Sequence, residues 1–212
     1  MTSERTRVRR LPEKQVEDRA VLDAVLDAGR VAHVAVVDDG QPYVLAVAYA
    51  RDGDRVLFHG STGSRLFRSI AAGADTCLTV TLVDGLVLAR SVFESSMRYR
   101  GAMILGRAAE LEHRAKFEAL ERMSERLTPG RWAEARQPNR RELAATLVVA
   151  LPIEEWSVKV SDGWPTDEEG DLGLPVWAGV LPVEERYGEP LAAPDLQPGV
   201  EPPPYLGAWS PR

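Results

Sequence analysis

At 212 residues, with a formal net charge of -6 and a pI near 5.2, the chain has room for one decorated domain, and its acidity argues against a nucleic-acid surface. A single cysteine, Cys77, rules out an intrachain disulfide and a cysteine metal cluster. No run approaches the ~20 apolar residues of a membrane span, and no apolar h-region follows the basic N-terminus. A soluble, cytoplasmic protein with neither membrane nor nucleic acid as partner is expected.

In chain order, residues 13–28 carry Val16, Ala20, Val21, Val25 and Leu26 at helical spacing, and Gly29 supplies a stop. Residues 31–37, 43–49 and 55–59 read as strands separated by turns at 38–42 and 51–54. A Gly/Ser turn at 60–64 opens a short helix over 65–72, ended by Gly73. Alternation then predicts strands over 76–83, 86–92 and 102–108, with a polar, arginine-bearing connection at 93–100. A second long helix spans 112–127, with Phe117, Leu120 and Met123 inward, and Pro129-Gly130 stops it. Strands at 145–151 and 156–160 close the set.

About seven strands that follow one another without crossover helices predict a mainly β protein: an antiparallel β-barrel with peripheral helices. Residues 1–162 form that barrel with its N-terminal helix. From Gly163 onward Pro, Gly, acidic residues and Trp dominate and periodicity is lost. Trp164, Trp177 and Trp209 predict that this extension, 163–212, packs on the body or on a partner subunit, with the last residues loose.

Gly60-Ser61-Thr62-Gly63-Ser64-Arg65 leaves a strand and opens a helix, so backbone N–H groups, hydroxyls and a guanidinium converge as a phosphate would need. It lacks the Gly-Lys-Ser/Thr ending of a P-loop, and simple N-capping by Ser64 accounts for it equally well. Arg90 shares a strand face with Leu86 and Leu88, and its residues alone favour water over an anion. His33, His59 and His113 show no metal-ligand spacing, so no metal site is expected; His59, beside the Gly/Ser turn, is the functional candidate. No nucleophile–base arrangement is present, and no catalytic residue is assigned.

Asp84-Gly85-Leu86-Val87-Leu88-Ala89-Arg90-Ser91, Ser96-Met97, Tyr99-Arg100 and Gly106 resemble the FMN-binding proteins related to pyridoxamine 5'-phosphate oxidase. More narrowly they resemble the branch that includes the nitroimidazole-resistance reductases. Leu57-Phe58-His59-Gly60-Ser61, Pro129-Gly130-Arg131-Trp132 and Val176-Trp177-Ala178-Gly179 extend the likeness along nearly the whole chain.

The resemblance implies an FMN-binding split β-barrel, homodimeric, with the cofactor at the subunit interface. By position, Ser61, Ser64 and Arg65 would hold the FMN phosphate with Thr62 helping. The backbone of Leu45, Ala46 and Val47 would pass along the isoalloxazine with His59 at its border. Arg90 and Ser91 would reach the ribityl chain or phosphate, which reverses the solvent reading of Arg90. The implied function is an FMN-dependent oxidoreductase acting on an unidentified small molecule; the alternative is a non-catalytic module holding flavin, deazaflavin or haem, with His59 available to haem. Glu94, Ser95, Arg98 and Ser161 depart from the family pattern where substrate or flavin would be lined.

Overall fold

In a computed structural model, which describes residues 3–209, ten strands form one continuous antiparallel sheet. They are β1 (Gln15–Val16), β2 (Val31–Asp38), β3 (Gln41–Asp52), β4 (Arg55–Ser61), β5 (Thr76–Leu88), β6 (Ser96–Gly106), β7 (Ala109–Glu110), β8 (Thr146–Pro152), β9 (Glu155–Ser161) and β10 (Gly179–Pro182). Their order is β1-β9-β6-β5-β2-β3-β4-β8-β7, with β10 added beside β5. The helices are α1 (Arg19–Ala28), α2 (Arg65–Ala71), α3 (His113–Leu127), α4 (Arg131–Glu134) and α5 (Arg140–Ala144). No helix among the described residues is long and apolar enough to cross a membrane.

The period-2 alternation of the strands sorts two cores onto opposite faces. Val34, Val36, Phe58, Leu78, Ile104 and Val149 point to one, where Leu22, Val25 and Leu26 of α1 and Leu66, Phe67 and Ile70 of α2 complete it. Ala50, Leu57, Val148 and Ala150 point the other way and are covered by Ala119 and Met123 of α3. Phe117 and Leu120, predicted inward on α3, are half-buried beside it. The antiparallel barrel with peripheral helices is thus the observed architecture.

Three sequence expectations need correction. The first helix begins at Arg19, not at residue 13: Gln15 and Val16 are drawn into pairing with Lys159 and Val158 of β9, and Asp18 then caps α1 by accepting from Ala20 N at 2.8 Å. The predicted strands 76–83 and 86–92 are one strand, β5. β6 pairs on both sides of a register shift between Val83 and Gly85, so Asp84-Gly85 is an irregularity inside a ladder and not a turn. The connection expected at 93–100 shrinks accordingly, because Ser96 already pairs with Val87 and the Tyr99-Arg100 pair lies within β6.

The extension holds more order than its composition suggested. β10 pairs Gly179–Pro182 with Leu88–Gly85, and a Cβ at Gly85 would come within 3.0 Å of Leu181 O, so glycine permits the close approach. Further on, the Tyr205 and Trp209 rings stack at 6.0 Å and Trp209 Nε1 donates to Pro129 O. Trp164 and Trp177 are largely exposed. The expectation of loose final residues falls on positions outside the described range.

Candidate functional site: the cleft and groove at the end of β4

β3 and β4 pair only from Tyr49↔Phe58 to Asp52↔Arg55. Beyond Tyr49 and Phe58 the two strands part. β3 stays with β2, Ala48 opposite Val31 and Val47 opposite Ala32, while β4 stays with β8 as far as Ser61↔Thr146. The barrel is split there. The backbone of Leu45, Ala46 and Val47 has a strand on its β2 side only, and Leu45 and Ala46 are both exposed although their side chains alternate.

The opposite wall is the Gly60–Arg65 turn. Ser61 Oγ accepts from Gly63 N at 3.1 Å, Ser64 N donates to Ser61 O, and Thr62 N donates to Ala145 O. Ser64 occupies the N-cap of α2 but its side chain makes no capping bond, and neither its hydroxyl nor that of Thr62 has a hydrogen-bond partner among the described residues. The Arg65 guanidinium lies over the Tyr43 ring, 4.9 Å from its centroid, and donates to the Tyr43 hydroxyl. Most arginines here are paired with carboxylates. Arg65 and Arg68 have no such partner among the described residues, and neither do Arg140 and Arg141 on α5, the helix whose C-cap Ala145 receives Thr62 N. The turn therefore sits in a locally basic surround on an acidic chain.

His59 projects to the α3 face of the sheet, level with Val148. It lines a groove of about 440 Å³ together with Leu120, Met123, Leu127, Trp132 and Leu143. Trp132 is held by an edge-on contact with Phe117 at 5.4 Å and by Glu125, whose carboxylate accepts from Gly130 N and Trp132 N. At the rim Arg136 and Glu142 form a two-pronged pair at 2.7 and 3.0 Å. That contact and the Asn139 N–H, part of the α5 capping box, bring the Glu142 pKa down to about 2. The imidazole can be reached from solvent, yet the groove walls strip much of its hydration, and this desolvation lowers its pKa. His59 makes no side-chain hydrogen bond among the described residues. A neutral imidazole with an uncommitted nitrogen, facing an apolar hollow, is the donor that a metal-centred planar macrocycle requires.

Not all predicted residues meet here. Leu45, Ala46, Val47, His59, Ser61, Thr62, Ser64 and Arg65 gather around the split. Arg90 and Ser91 follow the far end of β5, whose near end, Thr76, pairs with Val36 close to Tyr43 and Arg65. At about 3.3 Å per residue, β5 puts on the order of 40 Å of strand between the Arg65 end and Arg90, and less between Arg90 and Leu45 or Ala46, which lie level with Leu78 and Thr79. In one chain Arg90 instead meets Asp167 of the extension. Asp167 Oδ1 accepts from the backbone N of Arg90 (2.6 Å) and Ser91 (3.2 Å), and Oδ2 accepts from Arg90 Nη1 at 2.9 Å. Arg90 Nε is buried with no hydrogen-bond partner among the described residues.

The positions that depart from the family pattern are engaged locally. Arg98 stacks on Trp164 at 4.9 Å and donates to Gly163 O, Ser95 Oγ accepts from Ala89 N, and Ser161 Oγ accepts from Lys14 Nζ at 3.0 Å. Glu94 accepts from Thr166 Oγ1. Sequence reasoning missed Tyr43 and the groove wall of Leu120, Leu127, Trp132 and Leu143. The segments Pro129-Gly130-Arg131-Trp132 and Arg141-Glu142-Leu143, read as family marks, and Leu120, read as inward on its helix, fall on that wall but carried no sign of a groove.

An antiparallel barrel opened between two of its strands, with an anion-friendly turn on one lip, defines a split-barrel cofactor-binding class. The model of the pyridoxamine 5'-phosphate oxidase family matches residues 18–160, and the chain belongs to that family. Among solved structures it is similar to the FAD and Heme binding protein from Mycobacterium smegmatis: 44% identity, covering 93% of this chain and 97% of that one, TM-score 0.89. It is also similar to the Flavocytochrome Anf3 from Azotobacter vinelandii, at 39% identity over 98% and 97% of the two chains, TM-score 0.91. A putative 5-nitroimidazole antibiotic resistance protein from Bacteroides thetaiotaomicron shares the fold at 20% identity over 69% of this chain and 86% of that one, TM-score 0.59. No curated protein matches significantly.

Proposed function

We propose that this protein is a flavin- and haem-carrying redox protein that acts, as a homodimer, as an oxidoreductase on a small molecule. The observation that carries the reading is the end of β4, where His59 faces an apolar groove and, two residues later, the Ser61–Arg65 turn faces the split beside the free edge of Leu45–Val47. Two receptacles of different chemistry thus adjoin on one strand. The names of the two relatives at 44% and 39% identity, an FAD and haem binding protein and a flavocytochrome, support the same pairing.

The residues fit both groups. Arg65, Ser61, Thr62 and Ser64 would hold flavin phosphate by charge-assisted and hydroxyl hydrogen bonds. The unpaired edge of β3 would supply backbone donors and acceptors to the isoalloxazine rim. His59 would ligate haem iron, with Leu120, Met123 and Leu127 excluding water and Trp132 as a wall. When bound, flavin supplies hydride and electron chemistry and haem supplies one-electron chemistry. The protein positions, desolvates and neutralises. Its own side chains need donate no nucleophile.

A second subunit supports the geometry. Arg90 and Ser91, held by Asp167 and a strand's length from the turn of their own chain, would reach a cofactor only at the turn of a second copy. Val31, Val44, Val83, Leu86 and Met97 are exposed apolar side chains on the strands that would meet that copy.

The test is an absorption spectrum of the purified protein before and after adding haem and flavin. His59→Ala is expected to lose the haem Soret band and keep flavin, and Arg65→Gln to do the reverse. Failure of wild-type protein to bind either added group would overturn the proposal. Desolvation lowers the His59 pKa and so favours the unprotonated imidazole that iron needs; haem should be retained at neutral pH and lost on acidification, as protons compete for that nitrogen.

A further inference from the structure

We propose that a separate hollow, between the N-terminal turn and the end of β9, binds a small aromatic zwitterion with the chemistry of an aromatic amino acid. It holds about 760 Å³, within the usual range for small-molecule sites, and shares no lining residue with the His59 groove or the Gly60–Arg65 turn. Its walls come mainly from three parts of the chain: the turn around Leu11 and Lys14, the 93–97 connection, and the end of β9 running into Trp164. Two of the three lie outside residues 18–160, the part that the family model matches, so the hollow is built largely from additions to the barrel. Leu11 is held there at φ 57° and ψ 59°, with Lys14 N donating to its carbonyl at 3.1 Å. That left-handed conformation is costly for a leucine, and such strain collects at functional segments.

The ligand class follows from two charges that line one space without meeting. Lys14 Nζ donates to the Oγ of buried Ser161 at 3.0 Å, and Glu94 accepts from Thr166 Oγ1 at 3.4 Å. Each charge is tethered to a hydroxyl on its own wall. Both residues are half-buried, and neither makes an ion pair among the described residues. A ligand with a carboxylate for Lys14 and an ammonium for Glu94 would satisfy both through charge-assisted hydrogen bonds. Arg10, Glu13 and Asp162 also line the hollow, but they are exposed and screened by solvent and salt. Phe93 and Trp164, 89% and 70% exposed, supply two rings on which a planar ring can pack. Both are positioned before any ligand arrives. Phe93 N donates to Ser91 Oγ at 3.1 Å, and Arg98 holds the Trp164 segment by its ring contact and its bond to Gly163 O. Walls set in advance lower the ordering cost of binding.

The test is calorimetric titration of the full chain, with whatever cofactor it carries, using L-phenylalanine, phenylpropionate, phenethylamine and L-leucine. The first has ring, carboxylate and ammonium; the others lack the ammonium, the carboxylate and the ring respectively. Wild type is expected to bind L-phenylalanine at least about tenfold more tightly than any of the other three. Lys14→Gln should bring L-phenylalanine down to the level of phenethylamine without weakening phenethylamine itself. Glu94→Gln should bring it down to the level of phenylpropionate without weakening phenylpropionate. Both side chains lie outside the two cores, and the comparison among ligands in wild type needs no variant. No binding of L-phenylalanine by wild type overturns the inference, as does equally tight binding of L-leucine or of either one-charge analogue. An effect of Lys14→Gln or Glu94→Gln spread equally over all four ligands also overturns it. These outcomes leave the flavin and haem reading standing, since the absorption spectrum decides that reading.

Discussion

Gly60 couples the sheet to the candidate phosphate turn, and Gly60→Ala tests that coupling. A Cβ at this position would lie 2.2, 2.4 and 2.8 Å from three ring atoms of Phe67. Phe67 is buried on α2 and leans on Phe58 at 6.0 Å, so the ring has nowhere to retreat without lifting the helix. Forcing a methyl into such a packed site costs about 1–3 kcal/mol. For a chain of this length, each kcal/mol moves the melting temperature by about 2–4 °C, so a drop of roughly 2–12 °C is expected. Because the strain displaces α2, it also displaces Ser64 and Arg65, and flavin affinity should fall roughly tenfold, since such constellations tolerate only about 0.5 Å of drift. The assays are thermal unfolding by circular dichroism and flavin titration. Adding Phe67→Leu to Gly60→Ala makes room for the methyl. The double variant should therefore be more stable than the sum of the single effects by at least about 0.5 kcal/mol. A Gly60→Ala protein that melts within about 1 °C of wild type, or strict additivity in the double variant, would refute the close-approach argument.

Tyr49→Phe should cost about 1–2 kcal/mol, read as a lower midpoint in urea, because the buried Tyr49 hydroxyl donates to Leu26 O at 2.6 Å near the end of α1 and its loss orphans that carbonyl. Burial raises the Tyr49 pKa, so the phenol stays protonated and the loss should be the same at about pH 6 and about pH 9. Asp167→Asn should make the start of the extension more sensitive to limited proteolysis, with the barrel itself unchanged. Burial alone would raise the Asp167 pKa, but hydrogen bonds from the Arg90 side chain and from the backbone of Ser91 and Arg90 outweigh it and the net shift is downward. The contact's contribution is therefore complete above the ordinary aspartate value near 3.9 and is lost as pH falls through the lower folded value. Wild-type protein that is cleaved there equally at about pH 7 and pH 3 would contradict this.

The elements with a strong local signal were legible: α2 from the Gly/Ser turn to Gly73, α3 up to Pro129-Gly130, and the alternating strands β2, β4 and β8. The misread ones were settled by distant partners. Gln15 and Val16 fit a helix by periodicity but find β9, and Asp84-Gly85 looks like a turn until β6 is seen pairing on both sides of it. The same holds for the site. Ser61, Ser64, Arg65 and His59 could be named from one short segment, because a strand, a glycine turn and a helix start follow one another there. Tyr43 and the groove wall come from elsewhere in the chain and carry no local mark of their role.

By itself, the sequence determined the alternation that makes β-strands, the acidic balance, the Gly60–Arg65 turn and the family likeness, all properties of neighbouring residues. Only the tertiary structure decided that β3 leaves β4 past Tyr49, that His59 faces an apolar groove under α3, and that Arg90 lies on the order of 40 Å of strand from Arg65 within its own chain. These depend on which strands pair and where pairing stops. Register is fixed by burying one face of the whole sheet, an energy summed over residues far apart in sequence.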